Sequence, residues 1–187
     1  MNTTDDPQGR RWVVLLARMP SEPARYRMAL WRELRRSGAV LVGQSAWAVP
    51  DGPVTKGLVE RVAQLVDTAG GTLLALVSTG YGLGDSERLD RLYIEAREEE
   101  WSEFIADCRK YLLELAKEET LGKYTLAELE EEEQSLERLR RWYRELRSRD
   151  LLGVAASTVA RTELKACEEQ FESYAEHVYS VLSGLRD

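Results

Sequence analysis

Histidine is almost missing from this chain of 187 residues: His177 stands alone, and only two cysteines, Cys108 and Cys167, accompany it. The cysteines do not form a C-x-x-C pair, so the usual zinc-ribbon and dithiol motifs are excluded. A carboxylate-bridged di-iron bundle needs two Glu-x-x-His motifs facing each other. Tyr174 stands three residues before His177, so that motif is absent and His177 reads as a lone structural helix residue. No G-x-x-x-x-G-K-S/T phosphate loop, G-x-S-x-G elbow or H-E-x-x-H pair occurs. No run approaches the roughly 18 apolar residues needed to span a bilayer, and Met1–Pro7 has neither the basic nor the apolar region of a secretory leader. A cytoplasmic protein without membrane attachment, metal or cofactor is the expectation.

What the chain has is charge, unevenly placed. Residues 1–60 hold nine Arg and Lys against six Asp and Glu, which leaves 17 against 27 in the remainder. A basic front is therefore hidden by an acidic back.

The basic front opens on Trp12–Ala17, a short uninterrupted apolar run that reads as a central strand covered on both faces. Ser21-Glu22-Pro23 supplies a cap, an acid for the helix dipole and a first-turn proline, so a helix is expected there, ending at Gly38. Ala24, Met28, Trp31 and Leu34 recur at the helical period and are expected to face the sheet. Arg25, Arg32 and Arg36 share another face with Arg35 beside them. Ala39–Val49 contains Gly43-Gln44, which fits either a hairpin tip or a bulge, and two short strands are the preferred reading. After Pro50-Asp51-Gly52-Pro53, a stripe of Val54, Leu58, Val62, Leu65, Val66 and Ala69 traces a second helix stopping at Gly70-Gly71. Thr72–Ser78 is expected to be another buried strand.

That order, strand, helix, strand, strand, helix, strand, is the split βαβ plan of ferredoxin-like domains. The expected fold class is α+β: a four-stranded antiparallel sheet with two helices over residues 1–79, then a helical region over residues 80–187.

In the helical region, Leu89, Leu92, Ala96, Phe104, Cys108, Tyr111 and Leu115 place a helix from near Ser86 to about Glu119. Thr125 and Glu128 form a T-x-x-E capping box before a seam of Leu129, Leu136, Leu139, Tyr143 and Leu146, ending near Arg149. Beyond Gly153, Ala160, Leu164, Cys167, Phe171, Tyr174, Val178 and Leu182 give a third stripe. Three such stripes make an antiparallel bundle or a long hairpin. Both cysteines fall on inward positions and read as small buried hydrophobes, with a redox pair or a soft-metal site as the alternative. Glu130–Glu133 reads as solvated surface at a helix start, where the dipole favours acids. Gly80-Tyr81-Gly82-Leu83-Gly84 has the wrong spacing for a dinucleotide fingerprint and reads as a flexible connector.

The arginines Arg18, Arg25, Arg32, Arg35 and Arg36 are the candidate site, since the planar guanidinium fork suits phosphate and other oxyanions. Glu22 and Glu33 are the local acids able to neutralise them.

The block MPSEPARYRMALWRELRRSGAVLVGQSAWAVP from Met19 to Pro50, the helix around Tyr93–Glu119, and AELEEEEQSLERLRRWYRELRSRDLL from Ala127 to Leu152 resemble the N-terminal region of the bacterial chromate resistance protein ChrB family. The resemblance implies an association with chromate resistance operons and a non-enzymatic, chromate-responsive regulator of transcription. The preferred reading is such a regulator, whose arginine-rich helix contacts promoter DNA or an oxyanion such as chromate and whose ferredoxin-like domain pairs with a second copy as a homodimer; the alternative is a protein-protein interaction module that docks a partner through the acidic helical region. Longer family members carry a further C-terminal domain. The Met19–Pro50 block also resembles, more weakly, the middle domain of the PaaX repressor and the ferredoxin-like nuclease subunit of CRISPR spacer acquisition. In that nuclease a carboxylate at the end of the first strand holds metal; here the stretch is Leu16-Ala17-Arg18-Met19, which disfavours phosphodiester cleavage.

Overall fold

The computed structural model describes residues 9–184, and Met1–Pro7, read above as carrying no leader, lies outside the described residues. Two compact units divide the chain: one runs to Arg97 and takes in Ser148–Leu152, and the other comprises Glu98–Arg147 and continues from Gly153.

The first unit is built on β1 (Trp12–Arg18), α1 (Ala24–Arg36), β2 (Val40–Gly43), β3 (Ala46–Pro50), α2 (Thr55–Thr68) and β4 (Thr72–Ser78). The strands lie in the order β2-β3-β1-β4, every neighbouring pair antiparallel. This is the ferredoxin-like arrangement, with β1 central as expected. The Gly43-Gln44 ambiguity resolves as both features: a hairpin joins β2 to β3, and the register slips between Leu41 and Gly43.

Alternate residues of β1 feed two separate cores, as the period of two requires. Val13, Leu15 and Ala17 join Trp47 and Val49 beneath Leu30 and Leu34 of α1 and Leu58, Val62 and Val66 of α2. On the opposite face Trp12, Val40 and Ala48 pack against Tyr93, with Leu89, Ala96, Leu151 and Leu152 around them. Tyr93 lies in the opening third of α3 (Leu83–Thr120), and its hydroxyl donates to the Arg149 carbonyl (2.7 Å) and accepts from the Leu151 amide (2.9 Å). Gly38 has a φ of +79°, and a Cβ there would sit 2.2 Å from the Arg149 carbonyl oxygen. Glycine is thus required twice over, by backbone conformation and by the close approach of residues 148–152.

Three expectations for this unit need correction. Ser21 does not cap α1: Pro23 occupies the N-cap with no side-chain hydrogen bond. The inward face of α1 is Leu30, Glu33 and Leu34, whereas Met28 and Trp31 are 51% and 47% exposed. The expected stripe was turned by about a third of a helical turn, because Glu33 takes an inward position that an apolar pattern would not assign to an acid. Finally, β4 is an edge strand with most of its residues exposed, where burial was expected.

The second unit contains the rest of α3, most of α4 (Leu126–Arg149) and α5 (Ala155–Gly184). Its core joins Trp101, Phe104, Cys108, Tyr111 and Leu115 to Leu129, Leu136, Leu139 and Leu146 and to Ala160, Leu164, Cys167, Tyr174 and Val178. Bonds from Arg109 to Glu163, Gln170 to Glu119 and Tyr174 to Lys123 climb together along the chain, so α3 and α5 run in one direction. Tyr111 with Glu132 and Trp101 with Tyr143 reverse that order, so α4 runs against both. The expected capping box is half formed: the Glu128 amide donates to Thr125 Oγ1 at 3.3 Å. Both cysteines are fully buried, and Cys167 Sγ donates to the Cys108 carbonyl at 3.4 Å. Glu132, one of four consecutive acids expected at the surface, is buried.

The glycine run after β4 is a built turn. The Gly80 amide donates to Ser86 Oγ at 3.1 Å, and a Cβ on Gly80 would fall 2.4 Å from the Ser86 nitrogen. Leu83 and Gly84 already belong to α3.

Candidate anion-contacting site

Helix α1 carries arginines interleaved with aromatic residues on its outer side, set there because Leu30 and Leu34 anchor the inner side to the sheet. Arg25, Arg32 and Arg36 fall on one stripe, and Arg35 lies next to it over the Trp31 ring, 5.6 Å from its centre. Arg25 similarly covers its neighbour Tyr26 at 5.0 Å and donates to the Tyr26 hydroxyl at 3.3 Å. Arg32 Nε donates to the Met28 carbonyl at 3.3 Å. Stacked guanidiniums of this kind keep outward-facing donors while their planes rest on aromatic rings.

The five candidate arginines do not form one cluster. Among the described residues Arg25 and Arg32 have no carboxylate partner, and neither have Arg18 and Arg27. Arg36 differs, because it is paired with Glu33 of its own helix. Arg18 stands apart on β1, where strand alternation puts it on the side of Leu16, away from the helix layer. There it lines a shallow cavity of about 370 Å³ with Met19, Ser21, Gly71 and Thr72. Arg27 lines another of about 290 Å³ with Trp31, Leu41 and Gln44.

A clamp that the spacing did not disclose holds α1 to α2. Arg61 Nε of α2 donates to Glu33 Oε1 at 2.7 Å, Arg36 binds Oε2, and Ser37 Oγ donates to Oε1 at 3.4 Å. Burial by itself would raise the Glu33 pKa, but the hydrogen bonds and charges of Arg61 and Arg36 overcome it and hold the carboxyl below its usual value. Beside the clamp lies a cavity of about 300 Å³ lined by Arg36, Arg61, Thr55, Leu58 and Leu151. The signal for Glu33 was an acid at the inward position between Leu30 and Leu34; Arg61, 28 residues away, left none. Glu22, the other acid expected to neutralise the ridge, makes no ion pair among the described residues.

Among the described residues no group of three His, Cys, Asp or Glu side chains is placed to hold a metal ion, and no helix is long and apolar enough to cross a membrane.

A ferredoxin-like sheet unit with an arginine-bearing outer helix, joined by long helices, is the class of molecule these features define. The family model described as "Protein ChrB, N-terminal" matches residues 27–185, and the chain belongs to that family. Membership associates it with chromate resistance. No curated protein and no solved structure matches it.

Proposed function

We propose that this chain is a cytoplasmic, non-enzymatic regulator of chromate resistance that acts as a homodimer and contacts the phosphate backbone of promoter DNA through the outer side of α1. The observation that carries this reading is the set of guanidiniums on that helix, Arg25, Arg27 and Arg32, which have no carboxylate partner among the described residues of a chain rich in acids. Arg25 and Arg32 stand about 10 Å apart along the axis at 1.5 Å per residue. A linear polyanion suits that spread, whereas a small oxyanion needs donors converging on one point. The convergent pair, Arg36 and Arg61, already shares Glu33, so a free oxyanion there competes with an ion pair within the protein. Chromate as the inducer is consistent with the family association and is not assigned to particular residues.

The test is binding of the chain to its neighbouring promoter fragment across a salt series, for wild type and for Arg25→Ala/Arg27→Ala/Arg32→Ala. Each lost phosphate contact lowers the slope of log K against log salt by about one. The triple variant is expected to lose roughly three units of slope if all three contact phosphate. Arg36→Ala, whose guanidinium is engaged by Glu33, is expected to change binding less. Equal binding by wild type and the triple variant at low salt overturns the proposal.

A further inference from the structure

The two edges of the sheet are built differently. At one edge β2 is four residues long and its register with β3 slips between Leu41 and Gly43. Short length and irregularity are the ordinary protections of an edge strand against pairing with another chain. At the other edge β4 is seven residues long, Thr72-Leu73-Leu74-Ala75-Leu76-Val77-Ser78, and pairs with β1 without a break from Trp12↔Ser78 to Arg18↔Thr72. It contains no charge, no proline and no bulge. Leu74, Leu76 and Val77 are 52%, 44% and 57% exposed. Every protection used at the first edge is absent from the second.

The strand is also chemically palindromic. Laid antiparallel against a copy of itself with Ala75 opposite Ala75, it pairs Thr72 with Ser78, Leu73 with Val77 and Leu74 with Leu76. Hydroxyl meets hydroxyl at the ends, branched aliphatic meets branched aliphatic between them, and the smallest side chain falls on the axis. All seven residues are matched in this register, and shifting the centre to Leu74 or Leu76 brings in glycine or shortens the overlap. An uncharged strand meets its copy without like-charge repulsion. Antiparallel side-by-side pairing about one residue is twofold, so the contact closes after two copies.

We infer that β4 is a homodimerisation edge, joining two copies through an antiparallel β4–β4 pair centred on Ala75 into one eight-stranded sheet. The partner is a second copy of this chain. Main-chain hydrogen bonds supply much of the affinity in strand addition, and Leu74 and Leu76 with their counterparts form a continuous apolar strip on the face away from α1 and α2. The inference deepens the homodimer in the reading above and does not depend on DNA binding.

The test measures the mass of the full chain in solution by sedimentation equilibrium, together with cysteine cross-linking. Wild type is expected at twice the chain mass of 21.3 kDa at micromolar concentration. Leu74→Lys/Leu76→Lys places like charges opposite one another across the axis and is expected to shift the species to monomer with an unchanged far-ultraviolet spectrum. Leu41→Lys, an equally exposed leucine on the protected edge, is expected to remain dimeric. Ala75→Cys is expected to give a disulfide-linked dimer under mild oxidation, because directly opposed Cβ atoms lie about 5 Å apart. The native cysteines are buried and do not compete. A monomeric wild type overturns the inference, as does a dimer that survives the double lysine change and is not cross-linked by the Ala75→Cys substitution. DNA binding by such a monomer would leave the arginine proposal standing, so the two failures are distinguishable.

Discussion

Each unit buries one glutamate, and the two are treated in opposite ways. Glu33 in the sheet unit is met by Arg61 and Arg36, which outweigh burial and hold it ionised. Glu132 in the helical unit is raised above the usual carboxylate value, first by burial and then by the charges of Glu114, Glu131, Glu118 and Glu128. Two of those acids, Glu118 and Glu128, are paired with Lys123 at 2.7 Å and 3.4 Å. A buried acid therefore serves as a fastener where cations reach it and as a weak point where acids surround it. The helical unit tolerates this because its core is rich in aromatics: Trp101, Phe104, Trp142 and Tyr143 touch one another at 5.4–6.0 Å between ring centres.

The largest expected effect breaks that aromatic cluster. Phe104→Ala removes a fully buried ring and is expected to cost about 3–5 kcal/mol in urea unfolding. Next is the clamp. Glu33→Gln loses charge-assisted bonds to two arginines that are each more than half exposed, so about 1–2 kcal/mol is expected at neutral pH. Because the folded pKa of Glu33 lies below its unfolded value, the stability it adds is present above about 4.5 and fades as pH falls through the folded pKa. The gap between wild type and Glu33→Gln should close on acidification. Glu132→Gln is expected to have the smallest effect and the opposite sign. Its folded pKa is raised, so its favourable contribution is full below about 4.5 and is lost as pH rises through the folded pKa. That variant should be slightly more stable than wild type near neutrality and equal to it in acid, with unfolding curves at several pH values separating the two cases.

The sheet unit was legible where a single segment decides its own conformation. The apolar run at Trp12, the glycine pair after α2 and, in the helical unit, the T-x-x-E cap at Thr125 each mark their boundaries locally, and the elements fall there. The chain's sequence misled where a neighbour decides. Burial of β4 depends on whether a strand lies outside it, which no period within Thr72–Ser78 encodes. The phase of α1 depends on Arg61, without which the inward Glu33 would be too costly. The candidate arginines were legible as a stripe, yet their separation into Arg25 and Arg32 without carboxylate partners among the described residues, Arg36 engaged and Arg18 apart required coordinates.

Residues 148–152 settle how the molecule must be made. Gly38 admits their backbone and Tyr93 ties it down, so a fold that begins at β1 is finished by a segment translated about seventy residues after β4. A ribosome delivering this polypeptide releases four strands and two helices long before their last fitting part arrives. Until then Trp12 and Ala48 have the cover of Tyr93 and its neighbours but lack that of Leu151 and Leu152. A fragment cut before Leu151 is expected to leave that part of the sheet's second face uncovered.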